Sequence, residues 1–228
     1  MEIVPLDVLP LWVDFFEDLQ LVRGRSQNTI MAYRRDLELY LEFRKHSTQL
    51  LEFYSFMKRQ KLSVRSQARV ISSLRTYYRF CESKGIVAPE LRDLKPPKIS
   101  VKLPQPLTLT EFENLLSASK NLDRNRTQRN FLTLLLLYGT GCRVSELIHL
   151  DIKDYNQTER WIKVIGKGKK ERLIPLTDLI VEKLNLYLLE ARESLMKEKS
   201  SALLINDRGH RPSRVDVWRW LAQWSKTA

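Results

Sequence analysis

Trp161-Ile-Lys-Val-Ile165, Gly166-Lys-Gly-Lys-Lys170 and Glu171-Arg-Leu-Ile-Pro-Leu176 follow one another in this sequence as apolar run, glycine-containing turn and apolar run. Two short strand-like runs separated by five turn residues have the pattern of a β-hairpin. On both sides the apolar spacing changes to that of helices. Downstream, a long helix is expected from about Asp178 to Glu198, and Ser213 with Asp216 three positions on caps a last helix from Val215 to about Lys226. Upstream, a strongly apolar helix runs from Gln128 to Tyr138 and ends at Gly139. Before it, Thr110-Glu111-Phe112-Glu113 is a cap signature ahead of Leu115 and Leu116. The fold class expected is mainly α with a small antiparallel β-sheet.

Further upstream, Pro89, Pro96, Pro97, Pro104 and Pro106 crowd one stretch, with Lys95, Lys98 and Lys102 among them. Proline removes backbone donors and stiffens the chain, so residues 89–106 should run extended as a linker that joins neither core. Two domains result, 1–88 and 107–228. The first should hold four helices. One runs from Pro5 to Leu21 with Leu9, Trp12, Val13, Phe16 and Leu19 or Gln20 on its stripe, and stops at Gly24. Ser26 caps the second, which turns Ile30, Tyr33, Leu37 and Leu41 inward and Arg34, Arg35 and Arg44 elsewhere. The third covers Leu50 to Gln60. The fourth, from about Ser63 to Lys84, packs Ala68, Ile71, Leu74, Tyr78 and Cys81 and sets Arg65, Arg69, Ser72, Thr76 and Arg79 on another face. That face is either an ordinary solvated surface or one built to meet phosphates.

With 43% hydrophobic and 29% charged residues the chain can form two cores, which excludes global disorder. The net charge of +12 is uneven: residues 1–22 carry −5, residues 23–102 carry +11 and residues 103–228 carry +6. A basic surface on the N-terminal helices suits a polyanion such as nucleic acid; the plainer alternative is a soluble basic protein. Cys81 and Cys142 lie far apart with no ligand-spaced neighbour, so neither a disulfide framework nor a metal site is expected, and a reducing cytoplasmic setting fits. The N-terminus is acidic where a secretory signal is basic. The longest apolar run, Phe131 to Tyr138, is too short for a bilayer.

Two segments could carry chemistry. In Gly139-Thr-Gly-Cys-Arg143-Val-Ser-Glu146-Leu an Arg follows a helix end and a Glu stands three residues on. Taken on its residues this is either a capped junction with a local ion pair, or a guanidinium fork held by a carboxylate to receive two phosphate oxygens. The Gly166–Lys170 turn is either a solvated hairpin tip or a mobile one that brings a lysine to the DNA backbone as a proton donor. It is not a nucleotide-binding P-loop, which needs Gly-Lys-Ser/Thr and a following helix.

Together these segments resemble the tyrosine recombinase family, most closely its bacterial Xer branch. The resemblance rests on Ser26-Gln-Asn28-Thr29-Ile-Met-Ala-Tyr33-Arg-Arg-Asp36-Leu, Leu94-Lys-Pro-Pro-Lys98, Leu103-Pro104 before Leu107-Thr108, Tyr138-Gly-Thr-Gly-Cys-Arg143-Val-Ser-Glu146-Leu, and Val164-Ile-Gly-Lys167-Gly-Lys-Lys-Glu-Arg172-Leu-Ile-Pro175-Leu. It implies a SAM-like core-binding domain of four helices followed by a partial catalytic domain. By it, Arg143 is the first catalytic arginine, Glu146 its supporting acid and Lys167 the hairpin lysine. Cys142 stands where the family usually has Leu or Met. Arg34, Arg65, Arg69 and Arg79 are candidate DNA contacts by face and charge, with Lys169, Lys170 and Arg172 around the hairpin.

The implied reaction is strand exchange through a 3′-phosphotyrosine link. Arg143 would neutralise the non-bridging oxygens and Lys167 would protonate the leaving 5′-oxygen, with no metal or nucleotide required. The implied partner is a double-stranded DNA recombination site, on which a longer form assembles as a tetramer. Chromosome-dimer resolution, phage integration and element mobility are all compatible with it. The family's His-x-x-Arg, later His or Trp, and tyrosine nucleophile have no match here, and His210-Arg-Pro-Ser-Arg214 reads as a turn with a proline. A truncated, monomeric chain that binds DNA without cleaving it is expected, with Trp218, Trp220, Leu221 and Trp224 exposed by lost neighbours. The alternatives are a non-catalytic DNA-binding or regulatory module derived from the family, and a helical protein-interaction scaffold.

Overall fold

A computed structural model describes residues 11–228 apart from Thr48, 87–93, 100–104, Lys167 and Lys169. The chain forms two compact units, 1–103 and 104–228.

The first unit begins with α1 (Trp12–Glu17), which passes through a π-helical turn, Asp18–Val22. It buries Phe15, Phe16 and Leu19, whereas Val13, placed on the inner stripe by periodicity, is exposed. Two adjacent phenylalanines outweigh the regular spacing, because Phe15 meets Tyr77 edge-on with ring centroids 5.1 Å apart. Leu9 and the expected start at Pro5 lie outside the described residues. α2 (Gln27–Arg44), α3 (Leu50–Arg59) and α4 (Val64–Ser83) follow. Ser26 and Ser63 cap α2 and α4, accepting the backbone N–H groups of Thr29 and Ser66 at 3.3 and 3.2 Å.

Ile30, Leu37, Tyr40, Phe43, Phe53, Met57, Ile71, Leu74 and Tyr77 form the core. Tyr40 and Phe43 fill the place given to Leu41, and Tyr77 and Phe80 that given to Tyr78; Tyr33, Leu41 and Tyr78 are half-buried. In each case aromatic rings one and two positions away occupy the interior. The linker expectation is corrected at Leu94, which is buried in this core, while the Lys95 carbonyl accepts a 2.7 Å hydrogen bond from Tyr54 Oη. Leu94 joins the core although prolines follow it. Pro89 and Pro104 lie outside the described residues.

In the second unit α5 (Leu109–Ala118) is capped by Thr108, two residues before the expected cap. Thr108 Oγ1 accepts the Glu111 N–H at 3.2 Å and Glu111 Oε2 accepts the Thr108 N–H at 2.8 Å. α6 (Arg124–Thr140) starts four residues before Gln128, because Asp123 Oδ1 caps Asn125 and Arg126, and it ends at Gly141 instead of Gly139. Gly141 takes the left-handed conformation, φ 60°, that closes a helix. A four-residue helix, α7 (Val144–Leu147), comes next.

The sheet has three strands in the order β1 (Tyr155–Asn156), β2 (Trp161–Ile165), β3 (Glu171–Pro175), all antiparallel. Ile162 pairs with Ile174 and Val164 with Arg172, and Ile162 and Val164 face the core. α8 (Asp178–Leu186) runs through a π turn, Tyr187–Ala191, into α9 (Arg192–Leu195), so the long helix stops at Leu195 and not Glu198. Buried Arg192 draws the chain back there by donating to the carbonyls of Ser200 and Ala202 at 2.6 and 2.7 Å. Gly209, φ 87°, packs so closely that a Cβ would stand 2.8 Å from the Lys197 nitrogen.

α10 (Arg214–Thr227) carries the expected Ser213–Asp216 capping box. It lays Val217, Trp220 and Trp224 into the core with Leu132, Leu136, Leu147, Leu184 and Tyr187. The expected exposure is corrected for Trp220 and Trp224, which are buried, and for Leu221, which is half-buried; Trp218 alone of the four stands out, 68% exposed. The neighbours come from α6 and the 205–207 turn: the Arg129 guanidinium lies 4.1 Å from the Trp220 ring centroid, and Trp220 Nε1 donates to Asp207 Oδ2 at 3.1 Å.

Candidate functional site

The site is built around Glu146, third residue of α7 and 4% exposed. Its carboxylate receives four hydrogen bonds. Oε2 accepts the Arg143 backbone N–H at 2.8 Å and Arg172 Nη2 at 2.8 Å; Oε1 accepts Arg143 Nη1 at 3.0 Å and Arg172 Nη1 at 2.9 Å. The helix-junction reading of Arg143 and Glu146 is thus correct as geometry, since the carboxylate caps α7. The unforeseen part is Arg172, which arrives from β3 as a two-pronged fork. Arg172 above all, with Arg143 behind it, holds the Glu146 carboxyl down to about 2 against the opposing effect of burial. Arg172, expected among the DNA contacts, has both Nη groups on Glu146.

Gly166 explains how the hairpin reaches this pair. A Cβ there would stand 3.3 Å from both Arg172 Nη1 and Glu146 Oε1, so the bare Cα lets the base of the hairpin rest on the ion pair. The Gly166 N–H closes the turn on the Lys170 carbonyl at 2.8 Å. Lys167 and Lys169 lie outside the described residues; Lys170 is exposed. Arg143, tethered through its backbone and one Nη, keeps a side chain that is 70% exposed. The site can therefore offer solvent an oriented guanidinium whose charge, among the described residues, one shared carboxylate offsets.

Cys142 is buried beside the site, and burial pushes its thiol up, so it packs as a small apolar residue. The 210–214 segment, expected as a turn with a proline, leaves a turn at 207–210 and leads into α10, which Ser213 caps and Arg214 begins. Arg211 donates to the carbonyls of Ile148 and Leu150 and to Asp151, and His210 is exposed.

In the first unit Arg65 and Arg79 stand exposed on α4. Arg34 lies over aromatic rings, 4.7 Å from the Phe16 centroid and 5.8 Å from that of Trp12. Arg69 Nη1 is 2.5 Å from Oδ2 of Asp36, a buried carboxylate that periodicity did not single out. Its signal was available, because Thr29, Tyr33, Asp36 and Tyr40 share a helical stripe.

No helix of the described residues is long and apolar enough to cross a membrane. Residues 105–228 match the Phage integrase family, and residues 13–85 match the phage integrase N-terminal SAM-like domain. Tyrosine recombinase XerD of Oceanobacillus iheyensis is 36% identical over 223 residues, 91% of this chain and 74% of that protein. Tyrosine recombinase XerD of Staphylococcus epidermidis is 34% identical over 229 residues, 94% and 77% of the two chains. Among solved structures, the Tn1549 transposon integrase in complex with transposon right end DNA matches with TM-score 0.71 at 19% identity, covering 94% of this chain and 78% of that one. The lambda integrase tetramer bound to a Holliday junction matches with TM-score 0.68 at 18% identity, covering 95% and 65%. Those two show a shared fold. On the matches over both units and the identity to the XerD proteins, this chain belongs to the phage integrase family, as a Xer-like tyrosine recombinase.

Proposed function

We propose that this chain binds duplex DNA at a recombination site and holds one phosphodiester there with the free edge of Arg143. The observation that carries this reading is the carboxylate of Glu146, filled by four donors, which orients Arg143 while leaving it open to solvent. A guanidinium fixed beforehand meets two non-bridging oxygens without reorganising as charge develops on them. The net charge of +12 and the arginines of α4 add longer-range attraction. The DNA held by the two solved neighbours supports the same partner. To Lys167 we assign the proton for the departing 5′-oxygen, as the resemblance implies. The scheme calls for no metal ion or nucleotide.

Cleavage requires a tyrosine oxygen to bond to phosphorus as the bond to the 5′-oxygen breaks. Most of the tyrosines here are packed or hydrogen-bonded within the fold. Tyr138 stacks on Phe112 at 4.0 Å, Tyr155 donates to Asn185 at 3.0 Å, and buried Tyr187 accepts the Ile205 N–H at 3.1 Å. In the first unit Tyr40 and Tyr77 are buried, Tyr54 donates to Lys95, and Tyr33 and Tyr78 contact Phe15 and Tyr77. On its own this chain is read as one that binds without cleaving, and as a monomer, with tetramer assembly on DNA assigned to a longer form. Domains over 1–88 and 107–228 go with this reading, with Leu94 of the stretch between them packed into the first. Two free, buried cysteines suit the cytoplasm.

Incubation with a nicked duplex carrying a recombination site tests both halves. A native gel is expected to show a shifted complex, and a denaturing gel of the same sample no covalent protein–DNA band. A covalent band would overturn the non-cleaving reading, and no shift at low salt would overturn DNA binding.

A further inference from the structure

Asp36 of α2 is 2% exposed. Its Oδ2 accepts Arg69 Nη1 at 2.5 Å and Ser73 Oγ at 2.7 Å, both from α4. Arg69 Nη1 also lies 3.4 Å from the Ala32 carbonyl. Burial pushes this carboxyl up, while Ser73 and Arg69 oppose the rise. Burying an ion pair between helices stabilises little, since a well-packed apolar pair does as well or better. Packing alone is thus a weak reason for a carboxylate at this point in an aromatic core.

The other end of Arg69 supplies a stronger one. Its side chain is 47% exposed, and no hydrogen bond to its Nε or Nη2 is present among the described residues. It stands on one face of α4 with Arg65 one turn before, Ser72 three positions after, and Thr76 and Arg79 beyond. Among the described residues Arg65 and Arg79 have no carboxylate partner, so on this face Arg69 alone is held in a fixed pose. Glu146 and Arg143 show the same device in the second unit, an acid in the interior fixing one edge of a guanidinium whose other edge is open.

We propose that Asp36 is a positioning residue for DNA binding: it holds Arg69 so that the outward edge of the guanidinium bonds a backbone phosphate, making α4 a second oriented phosphate contact. The proposal rests on the DNA-binding reading above. It opposes simple charge counting, in which removing a carboxylate from beside a phosphate tightens binding.

The test measures affinity of the full chain for a fluorescein-labelled, mixed-sequence duplex of about 30 base pairs across a salt series, for the wild type, Asp36→Ala, Arg69→Ala and the double variant. Asp36→Ala is expected to bind about five- to tenfold more weakly at low salt, with the log K against log[salt] slope shallower by about one phosphate contact. Arg69→Ala should match it, and the double variant should lose no more than Arg69→Ala alone. A purely structural role for Asp36 would instead persist in the Arg69→Ala background. Asp36→Asn, which keeps the shape and one acceptor oxygen, should fall between wild type and Asp36→Ala; it decides the question if Asp36→Ala does not fold. Binding by the Asp36 variants as tight as wild type or tighter, or an additive loss in the double variant, overturns the proposal. Absence of salt-dependent binding by the wild type would overturn the DNA-binding reading itself, a result separable from the others.

Discussion

Glu146→Ala is expected to destabilise the second unit by about 3 kcal/mol, as removal of one member of a buried charge cluster leaves its partners unpaired. Three donors on two arginine side chains and one backbone N–H lose their acceptor together. The value sits at the lower end of the usual range because water can reach Arg143 and, in part, Arg172 once the carboxylate is gone. Urea unfolding followed by tryptophan fluorescence reads mainly this unit, since four of the five tryptophans, Trp161, Trp218, Trp220 and Trp224, lie in it and Trp12 lies in the first. The same carboxylate sets an acid limb. Its pKa is depressed from an ordinary 4.5 to about 2, so its contribution is complete above 4.5 and is lost as pH falls toward 2. In Glu146→Gln that part of the acid limb should vanish. A loss below about 1 kcal/mol in Glu146→Ala would mean that the four bonds do not hold the α7–β3 junction together.

Arg129→Ala is expected to cost a similar amount, about 3 kcal/mol, through a different mechanism. Arg129 is buried in α6, donates to Asp207 Oδ1 at 2.8 Å and to Asn130 Oδ1 at 3.1 and 2.8 Å, and lies over the Trp220 ring. Its loss opens a cavity under α10 and removes a cation–π contact. It also takes one partner from Asp207, whose carboxyl burial pushes up but which Arg129, Trp220 and Arg126 together hold below its ordinary value. Tryptophan emission should shift to the red as Trp220 rehydrates, at denaturant concentrations where the wild type is native. Arg129→Lys should recover little of the loss, because an ammonium cannot serve Asp207 and Asn130 while stacking on an indole. Wild-type emission and midpoint in Arg129→Ala would show that α10 is anchored without it.

These two residues mark where reading the sequence stopped. The hairpin strands, the caps at Ser26 and Ser213, and the pairing of Arg143 with Glu146 are local, set by spacings of two to five residues, and they were legible. Arg172 is 26 positions from Glu146, Arg69 is 33 from Asp36, and Arg129 is 78 from Asp207. No period links such partners, because tertiary packing brings them together. Local signals also competed. The cap pattern fits both Thr108 with Glu111 and Thr110 with Glu113, and burial of Phe112 and Leu115 selects the first. A two-residue strand such as β1 carries too few side chains to show alternation. Leu94 was assigned to the linker by its flanking prolines, and Val13 was put on the inner stripe in the place that Phe15 takes, whereas the aromatic core decided both.

The most direct test of the central claim, that oriented arginines on both units make this chain a binder of duplex phosphates, is the salt dependence of its affinity for double-stranded DNA. A plot of log K against log[salt] is expected to be linear with a slope of about −5 or steeper, the signature of several phosphates neutralised together. A slope shallower than about −1 would contradict it, since a protein binding through these arginines must release that many counterions.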